Sequence, residues 1–236
     1  GNYIFKPPAE EYPEMPQNEH LTMRIAEAFG LKVVPSSLIR LASGELGYVT
    51  KRIDRTAKGN KIHMLDMFQV TEAYNKYKSS MEKVGKAVLA YSDNTFLDLL
   101  NLFELTLFSF ITGNNDMHLK NFSMIESEVG WILAPAYDLL NVTILFPEDT
   151  EELALPTDAK KKKLRRSHFE QYGLKMGLTK RQVNSTLERV LQNCKKAHEW
   201  IDESFLSNEM KDKYRALLDA RSERLQPDNS DLTRVT

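Results

Sequence analysis

The sequence predicts an α+β fold in which a small β-rich part with one helix precedes a larger, mainly α-helical part. Over the first 55 residues, short apolar runs alternate with turn-forming residues, which is typical of strands. From Thr95 onward apolar residues recur mainly at helical spacing. The 236 residues are 42% hydrophobic and 28% charged, so the chain can bury the core of one large domain or of a compact two-lobed one. We expect a β-rich part over 1–55, a helical part over 56–226 and a disordered tail over 227–236.

The β-rich part is expected to contain one strand, one helix and a hairpin. Asn2–Lys6 alternates like a strand and is followed by two prolines, which cannot donate to a ladder. Ala9–Gln17 is interpreted as an exposed loop because it contains further prolines. Asn18–Phe29 has the apolar face of an amphipathic helix, and Gly30 ends it. Residues 38–53 are predicted to form a hairpin around a Ser-Gly-Glu turn.

The helical part is expected to contain a second hairpin and a series of helices. Met64–Phe68 is interpreted as the start of a mixed helical region. Strand-like pieces at Phe122–Ile125 and Trp131–Leu133 flank a turn and predict the hairpin. A polar connection over 148–163 follows. The helices predicted after it are Ser167–Leu174, Thr179–Leu191, Cys194–Leu206 and Glu209–Leu225, with Thr179 as an N-cap.

Composition excludes several classes of protein. The formal net charge of −1 gives no global field that would favour nucleic acid or a membrane surface. The single cysteine, Cys194, excludes a disulfide framework within the chain and fits a reducing compartment. Asp98, Asn101 and Glu104 interrupt the most apolar segment, so it is not a convincing membrane span. We expect a cytoplasmic protein without a membrane partner.

The most informative stretch follows that apolar segment. Phe96–Ile111 is apolar on nearly every face, which predicts a buried helix that supports the polar loop from Thr112 to Phe122. In this loop Asp116 and Asn121 are five residues apart, and Asp138 follows a short strand-like segment. Asp and Asn oxygens in this order suit a magnesium-dependent phosphoryl-transfer site. Taken singly, each of these residues could equally be a turn or cap residue.

The same residues carry a resemblance to a known family. Asp116–Ser123 followed by Pro135–Asp138 resembles the catalytic and metal motifs of the HipA-like serine/threonine kinases, the kinase toxins of bacterial toxin–antitoxin pairs. Tyr3–Pro8, Val49–Arg55 and Asp66–Gln69 fit the family in the same order. The resemblance implies a divergent two-lobed protein-kinase-like fold that uses ATP and Mg²⁺. It also implies an antitoxin partner and a protein substrate such as an aminoacyl-tRNA synthetase.

The resemblance assigns a role to each residue of the catalytic and metal motifs. Asp116 would orient the substrate hydroxyl and accept its proton, and Asn121 and Asp138 would hold Mg²⁺. Lys6 would contact the nucleotide phosphates, with Glu19 as its ion-pair partner by analogy with other protein kinases. Without the resemblance, Lys6 would be a solvated strand charge and Glu19 a first-turn acid favoured by the helix dipole.

A nucleotide-binding hinge is expected in the segment that joins the two lobes. Its backbone would face adenine, and Asp54 would bind the ribose hydroxyls. The predicted hinge residues are Thr50, Lys51, Arg52 and Ile53.

Two further loop residues have open roles. His118 could touch the transferring phosphate or hold the loop by packing and hydrogen bonding, and the second role is slightly favoured. Lys120 could neutralise phosphate charge or point to solvent. The Asp116-x-His118-x-x-Asn121 pattern also resembles phosphoinositide kinases, so a lipid kinase is an alternative.

A second alternative is a non-catalytic kinase-fold module that binds an antitoxin or DNA. Lys160–Lys163 with Arg165 and Arg166 is the strongest charge run in the chain. Such a run is usually a solvated loop, and DNA contact is the minority interpretation.

One departure from the family concerns the start of the chain. The sequence begins at the strand that carries Lys6, so the family's preceding strands, phosphate-covering loop and regulatory autophosphorylation serine have no counterpart in it. We therefore expect a chain whose natural beginning has been removed. We also expect this chain to bind nucleotide weakly and to transfer phosphate poorly.

Overall fold

Two small antiparallel sheets and a set of helices form the part of the chain that the structure describes. The structure is a computed structural model, and it describes residues 1–227. The predicted tail lies almost entirely outside these residues, at 228–236. The strands are β1 (Tyr3–Lys6), β2 (Ser36–Arg40), β3 (Leu46–Lys51), β4 (Met64–Asp66), β5 (Ser123–Ser127) and β6 (Gly130–Leu133). The helices are α1 (Met15–Ala28), α2 (Met67–Val70), α3 (Met81–Tyr91), α4 (Thr95–Ile111), α5 (Arg166–Lys175), α6 (Lys180–Asp202) and α7 (Asn208–Glu223).

The first sheet has the strand order β1-β3-β2 and packs against α1. Its hairpin, β2 with β3, is the one predicted over residues 38–53. In β1, Lys6 lies opposite Tyr48 of β3, whose ring is fully buried. Because side chains alternate along a strand, this register puts the apolar face of β3 against α1.

The second sheet, β4-β5-β6, contains the second predicted hairpin and one strand that was not predicted. The prediction that Met64–Phe68 begins a helical region is wrong for Met64–Asp66, which form β4, and correct for Met67 and Phe68. Met64 pairs with Ile125 instead, and the short helix α2 begins after Asp66. The Asp66 side chain accepts a hydrogen bond from the Gln69 backbone, and the Gln69 side chain accepts one from the Asp66 backbone, which is a capping box.

Helix α4 forms the centre of the helical part, as predicted for Phe96–Ile111. Most of its side chains are buried, and its two buried acids have partners. Asp98 accepts hydrogen bonds from the Leu133 backbone (2.7 Å) and a serine hydroxyl. Glu104 receives both a 3.2 Å and a 2.9 Å hydrogen bond from Arg189 of α6. Asp98 and Glu104, the two acids that interrupt the apolar segment, therefore connect α4 to β6 and α6.

Two further boundaries differ from the sequence prediction. Helix α1 begins at Met15, inside the segment predicted as a loop, because its proline lies in the first turn where no amide donor is needed. The two helices predicted over 179–206 form one continuous helix, α6, and Thr179 caps it as predicted. No residue between Leu191 and Cys194 breaks helical geometry.

No helix within residues 1–227 is both long and apolar enough to cross a membrane. The division into lobes at residue 55 stays a prediction.

Candidate active site

The loop after α4 starts at a glycine that no other residue could replace without strain. Gly113 has φ +71°, a left-handed conformation that side chains rarely adopt. A Cβ atom at this position would also lie 2.6 Å from the Asn141 Oδ1 atom and would overlap the Leu217 side chain. The chain can therefore leave the buried helix and turn sharply at this point because residue 113 has no side chain.

Backbone hydrogen bonds hold the following residues in a compact loop. The His118 amide donates to the Asp116 carbonyl (2.8 Å), and the Asn121 amide donates to the His118 carbonyl (2.9 Å) within a 3-10 turn, Leu119–Asn121. The Asn121 side chain donates from Nδ2 to the Asp138 Oδ2 atom at 2.8 Å. Asn121 of the loop and the downstream acid Asp138, predicted from separate motifs, therefore meet in the structure.

Asp138 lies in a strained backbone conformation that its neighbours support. Its φ is +59°, which is uncommon for a residue other than glycine although aspartate tolerates it better than most. The preceding Tyr137 hydroxyl lies 2.6 Å from the Ser123 hydroxyl and donates to the Lys120 carbonyl at 2.9 Å. These bonds fix the segment against β5 and the catalytic loop.

Lys6 joins the first sheet to both acids of the site. Its ammonium group donates to the two carboxylate oxygens of Glu19 at 2.8 and 2.9 Å and also pairs with Asp138. The Glu19 side chain is almost fully buried in α1. The predicted lysine–glutamate pair is therefore present, and Asp138 shares the same cation.

Two buried hydrogen bonds between the Asn18 side chain and the Asn141 backbone fix α1 relative to the segment that follows Asp138. Asn18 Nδ2 donates to the Asn141 carbonyl at 2.9 Å, and the Asn141 amide donates to Asn18 Oδ1 at 2.8 Å. Both residues are fully buried. Because Asn18 precedes Glu19, this reciprocal pair sets where the glutamate lies with respect to Asp138.

Burial and charge shift the pKa values of this site in different directions. Burial raises the pKa of Glu19 to about 7, against the opposing effect of Lys6. Burial alone would lower the pKa of Lys6, but Glu19 and Asp138 raise it above its ordinary value. Burial also lowers the pKa of His118, which favours the neutral imidazole at pH 7. Lys6 is thus the permanent positive charge of the site.

A cleft of about 450 Å³ lies between the two sheets and contains the whole predicted nucleotide set. The predicted residues that line it are Lys6, Glu19, Thr50, Lys51, Arg52, Ile53, Asp54, Lys120 and Asp138. The Asp54 carboxylate is already bound, at 2.9 and 2.6 Å by Arg52 and at 2.6 Å by Arg55. The hydrogen bonds from Arg52 lower the Asp54 pKa, so this acid is ionised at neutral pH.

Further residues that line the cleft have no role in the sequence-based prediction. Asp66 and Gln69 line it next to Tyr137 and Ser123. The stretch from Asp66 to Gln69 contributed to the family resemblance, and its capping-box pattern was the available signal. Ile4 and Val34 form apolar walls that a sequence pattern does not distinguish from core residues.

Asp116 does not line this cleft. It lies in a second cavity of about 420 Å³, together with Tyr77. Its Oδ1 atom accepts a 2.8 Å hydrogen bond from the Tyr77 hydroxyl, and the Tyr77 ring packs edge-on against His118 with 5.2 Å between ring centroids. The Lys120 ammonium lies 4.9 Å from the centre of the Phe68 ring.

The residues around Asp138 fit a magnesium ion that is completed by phosphate oxygens. Asn121 Oδ1 is buried and has no partner within residues 1–227, and it belongs to the same side chain that binds Asp138. An amide oxygen and a carboxylate are hard donors of the kind Mg²⁺ prefers. No cluster of three or more His, Cys, Asp or Glu in the described chain could hold a metal by itself. Proteins commonly bind Mg²⁺ with one or two side-chain oxygens, and substrate phosphates supply further ligands.

The basic run Lys160–Arg166 is partly neutralised within the chain. Lys161 pairs with Glu151 at 3.0 Å, and Arg166 pairs with Glu170 at 2.8 Å. Lys162 donates to the Thr150 hydroxyl at 2.6 Å. The run therefore offers less free charge than the sequence indicates.

Comparisons with known proteins agree on the fold. The chain resembles HipA in the solved complex of Shewanella oneidensis HipA, HipB and operator DNA, with a TM-score of 0.79, 19% identity, and coverage of 95% of this chain and 58% of that one. It also resembles the Helicobacter pylori proinflammatory kinase CtkA, with a TM-score of 0.67, 16% identity, and coverage of 94% and 86%. The predicted divergent two-lobed kinase-like fold is confirmed by these likenesses.

The sequence comparisons give the family. A Haemophilus influenzae protein named "Putative kinase" is 29% identical over 237 residues, which span 87% of this chain and 69% of that protein. The family model described as the HipA-like C-terminal domain matches residues 1–198. The chain therefore belongs to the HipA-like family, whose named relatives are kinases.

Proposed function

We propose that the chain is the core of an ATP- and Mg²⁺-dependent protein serine/threonine kinase. The observation that carries this proposal is the convergence of Lys6, Glu19 and Asp138, which line a 450 Å³ cleft, with Asn121, whose side chain binds Asp138. These groups come from β1, α1, the catalytic loop and the segment after β6, which are far apart in sequence. A structural ion pair alone would not need the adjoining cleft or the unpartnered Asn121 oxygen.

Each side chain has a specific role in this proposal. Lys6 binds the nucleotide phosphates while Glu19 holds it in place. Asp138 and Asn121 Oδ1 would hold the metal, and Asp138 would then give up its contact with Lys6. Bound Mg²⁺ would neutralise charge on the phosphates. Asp116 orients the acceptor hydroxyl and accepts its proton.

The remaining cleft residues suit the nucleoside. The Thr50–Ile53 segment lines the cleft at the end of β3. The Lys51 and Arg52 amides already donate to the Pro35 and Asn2 carbonyls, so the Ile53 backbone is the group we assign to adenine. Asp54 is held by Arg52 and Arg55 and would accept hydrogen bonds from the ribose hydroxyls with its remaining lone pairs. His118, buried and edge-on to Tyr77, holds the loop, and exposed Lys120 is available to a phosphate.

The substrate and partners follow from the family and are part of the proposal. The substrate would be a protein of the translation machinery, such as an aminoacyl-tRNA synthetase, in the cytoplasm. An antitoxin partner is supported by the likeness to HipA in its complex with HipB and operator DNA. The ion pairs of Lys161 and Arg166 favour DNA contact through such a partner over direct contact by Lys160–Arg166.

Calorimetric titration with ATP, in the presence and absence of Mg²⁺, tests the proposal. We expect magnesium-dependent binding that Asp138→Asn weakens by about tenfold or more. Asp116→Asn is the matched control, because it should keep the binding and lose about 10²- to 10⁴-fold in phosphoryl transfer. A chain that binds ATP equally with and without Mg²⁺, or not at all, would leave a non-catalytic kinase-fold module as the function.

A further inference from the structure

The position of Tyr77 beside Asp116 is not explained by nucleotide binding. Tyr77 lies in the 71–80 loop between α2 and α3, and its hydroxyl donates a 2.8 Å hydrogen bond to Asp116 Oδ1. The two residues line a separate cavity of about 420 Å³. Tyr77 is 42% exposed, so its hydroxyl could face solvent instead of binding Asp116.

The contact between Tyr77 and Asp116 resembles the one that a substrate hydroxyl makes with a catalytic base. In phosphoryl transfer a hydroxyl donates its hydrogen to the catalytic carboxylate before it attacks. The Tyr77 hydroxyl makes that same donation. Burial and the bond to Asp116 raise the pKa of Tyr77 to about 12, so the phenol remains a neutral donor at physiological pH.

We propose that Tyr77 occupies, on Asp116, the position that the hydroxyl of a serine or threonine substrate must take, and that this substrate binds by displacing the phenol. The inference rests on the proposed kinase function, because it takes Asp116 as the residue that orients the acceptor. It makes Tyr77 a residue that excludes water and unselected hydroxyls from the base until a protein segment fills the cavity.

The local structure permits this displacement without unfolding the loop. The backbone of the 71–80 loop is tied to the catalytic loop by the Leu119 amide, which donates to the Lys76 carbonyl at 3.2 Å. The Tyr77 amide is held separately by the Asn75 side chain at 2.9 Å. A rotation of the Tyr77 side chain would release Asp116 while both backbone ties stay in place.

The test is the rate of ATP hydrolysis with Mg²⁺ in the absence of protein substrate, where water is the acceptor. Tyr77→Phe keeps the ring against His118 and removes only the hydroxyl. We expect it to raise the hydrolysis rate about three- to tenfold, the effect of one hydrogen bond, and to leave the dissociation constant for Mg–ATP within about twofold. Tyr74→Phe in the same loop is the control, because Tyr74 is 97% exposed and should change neither quantity.

A second measurement does not require turnover. Mg–ADP with aluminium fluoride mimics the transferring phosphoryl group with a water molecule in line. Tyr77→Phe should bind this complex about three- to tenfold more tightly than the wild type does, while binding of Mg–ADP alone is unchanged.

Two results would overturn the inference while the proposed kinase function stands. In the first, Tyr77→Phe behaves like Tyr74→Phe in both measurements. In the second, Tyr77→Phe hydrolyses ATP more slowly than the wild type and binds the aluminium fluoride complex more weakly. The second result would make Tyr77 a residue that positions Asp116. If wild-type protein fails to bind Mg–ADP, the proposed function fails and the inference fails with it.

Discussion

The two sides of the candidate site are supported in opposite ways. Asn121 stands on a loop that leaves the buried helix α4, and packing at Gly113 fixes its path. Lys6 stands on β1, whose preceding residues Tyr3 and Phe5 are 64% and 47% exposed. Packing therefore positions one side, while ion pairs position the other. Changes on the first side should affect folding, and changes on the second should affect ligand binding.

The largest effect on folding is expected at Gly113. Gly113→Ala adds a Cβ to a left-handed residue and forces it against Asn141 and Leu217, which should cost about 3 kcal/mol of unfolding free energy. Urea denaturation measures this loss.

Gly59→Ala is the control for backbone strain. Gly59 also has a positive φ, of +82°, but a Cβ there would meet nothing within 4 Å, so only about 1 kcal/mol should be lost. Equal losses at both positions would show that packing under the catalytic loop contributes nothing.

On the charged side, Lys6→Met should reduce nucleotide affinity with little change in stability. The variant removes a charge-assisted contact to phosphate, so the dissociation constant for Mg–ATP should rise about 10- to 100-fold. Stability should change little near pH 7, because Glu19, with a pKa of about 7, can take up a proton when it loses Lys6.

Lys51→Met is the matched control, since Lys51 lines the same cleft and makes no ion pair within residues 1–227. Equal losses of affinity in the two variants would mean that the cleft attracts nucleotide by general charge rather than through Lys6.

The effect that is smallest per measured step is expected in the pH dependence of stability, because it is spread over several half-unit pH intervals. The folded-state pKa of Glu19, about 7, lies above its ordinary value of 4.5, so the folded protein binds more protons between these values. This contribution makes stability fall as pH rises from 4.5 to 7, with a slope of at most about 1.4 kcal/mol per pH unit.

Glu19→Gln should flatten this part of the profile, and exposed Glu10→Gln should not. Urea denaturation at half-unit pH intervals makes the comparison. An unchanged slope in Glu19→Gln would mean that Lys6 keeps Glu19 ionised throughout this range.

The sequence predicted the elements whose signals are local. The buried helix before the catalytic loop and both hairpins have apolar patterns and turns within a short window. Strand β4 has no such signal, because three residues become a strand only by pairing with β5, about 60 residues later. Helix α6 was divided because its apolar pattern weakens near Cys194, although nothing there breaks a helix.

The same distinction applies to the site. Asp116, Asn121 and Asp138 carry a motif, and the resemblance of that motif to the HipA-like kinases is the signal that selects them. Tyr77 carries none, and its contact with Asp116 spans 39 residues. The neutralisation of Lys161 by Glu151 was likewise invisible, since it depends on how the connection after residue 148 folds back on itself.

The two hydrogen bonds between the Asn18 side chain and the Asn141 backbone limit how a kinase with this fold could be controlled. Many protein kinases are switched off by swinging the helix that carries the glutamate partner of the lysine away from the active site. In this chain that helix has Leu21, Met23 and Ile25 in the core, and the Asn18 side chain is bound to the Asn141 backbone, three residues after Asp138, by two buried hydrogen bonds that act as a latch. Moving it outward would expose that core and break the latch, so control has to act on groups that can move alone, such as side chains at the acceptor side of the cleft.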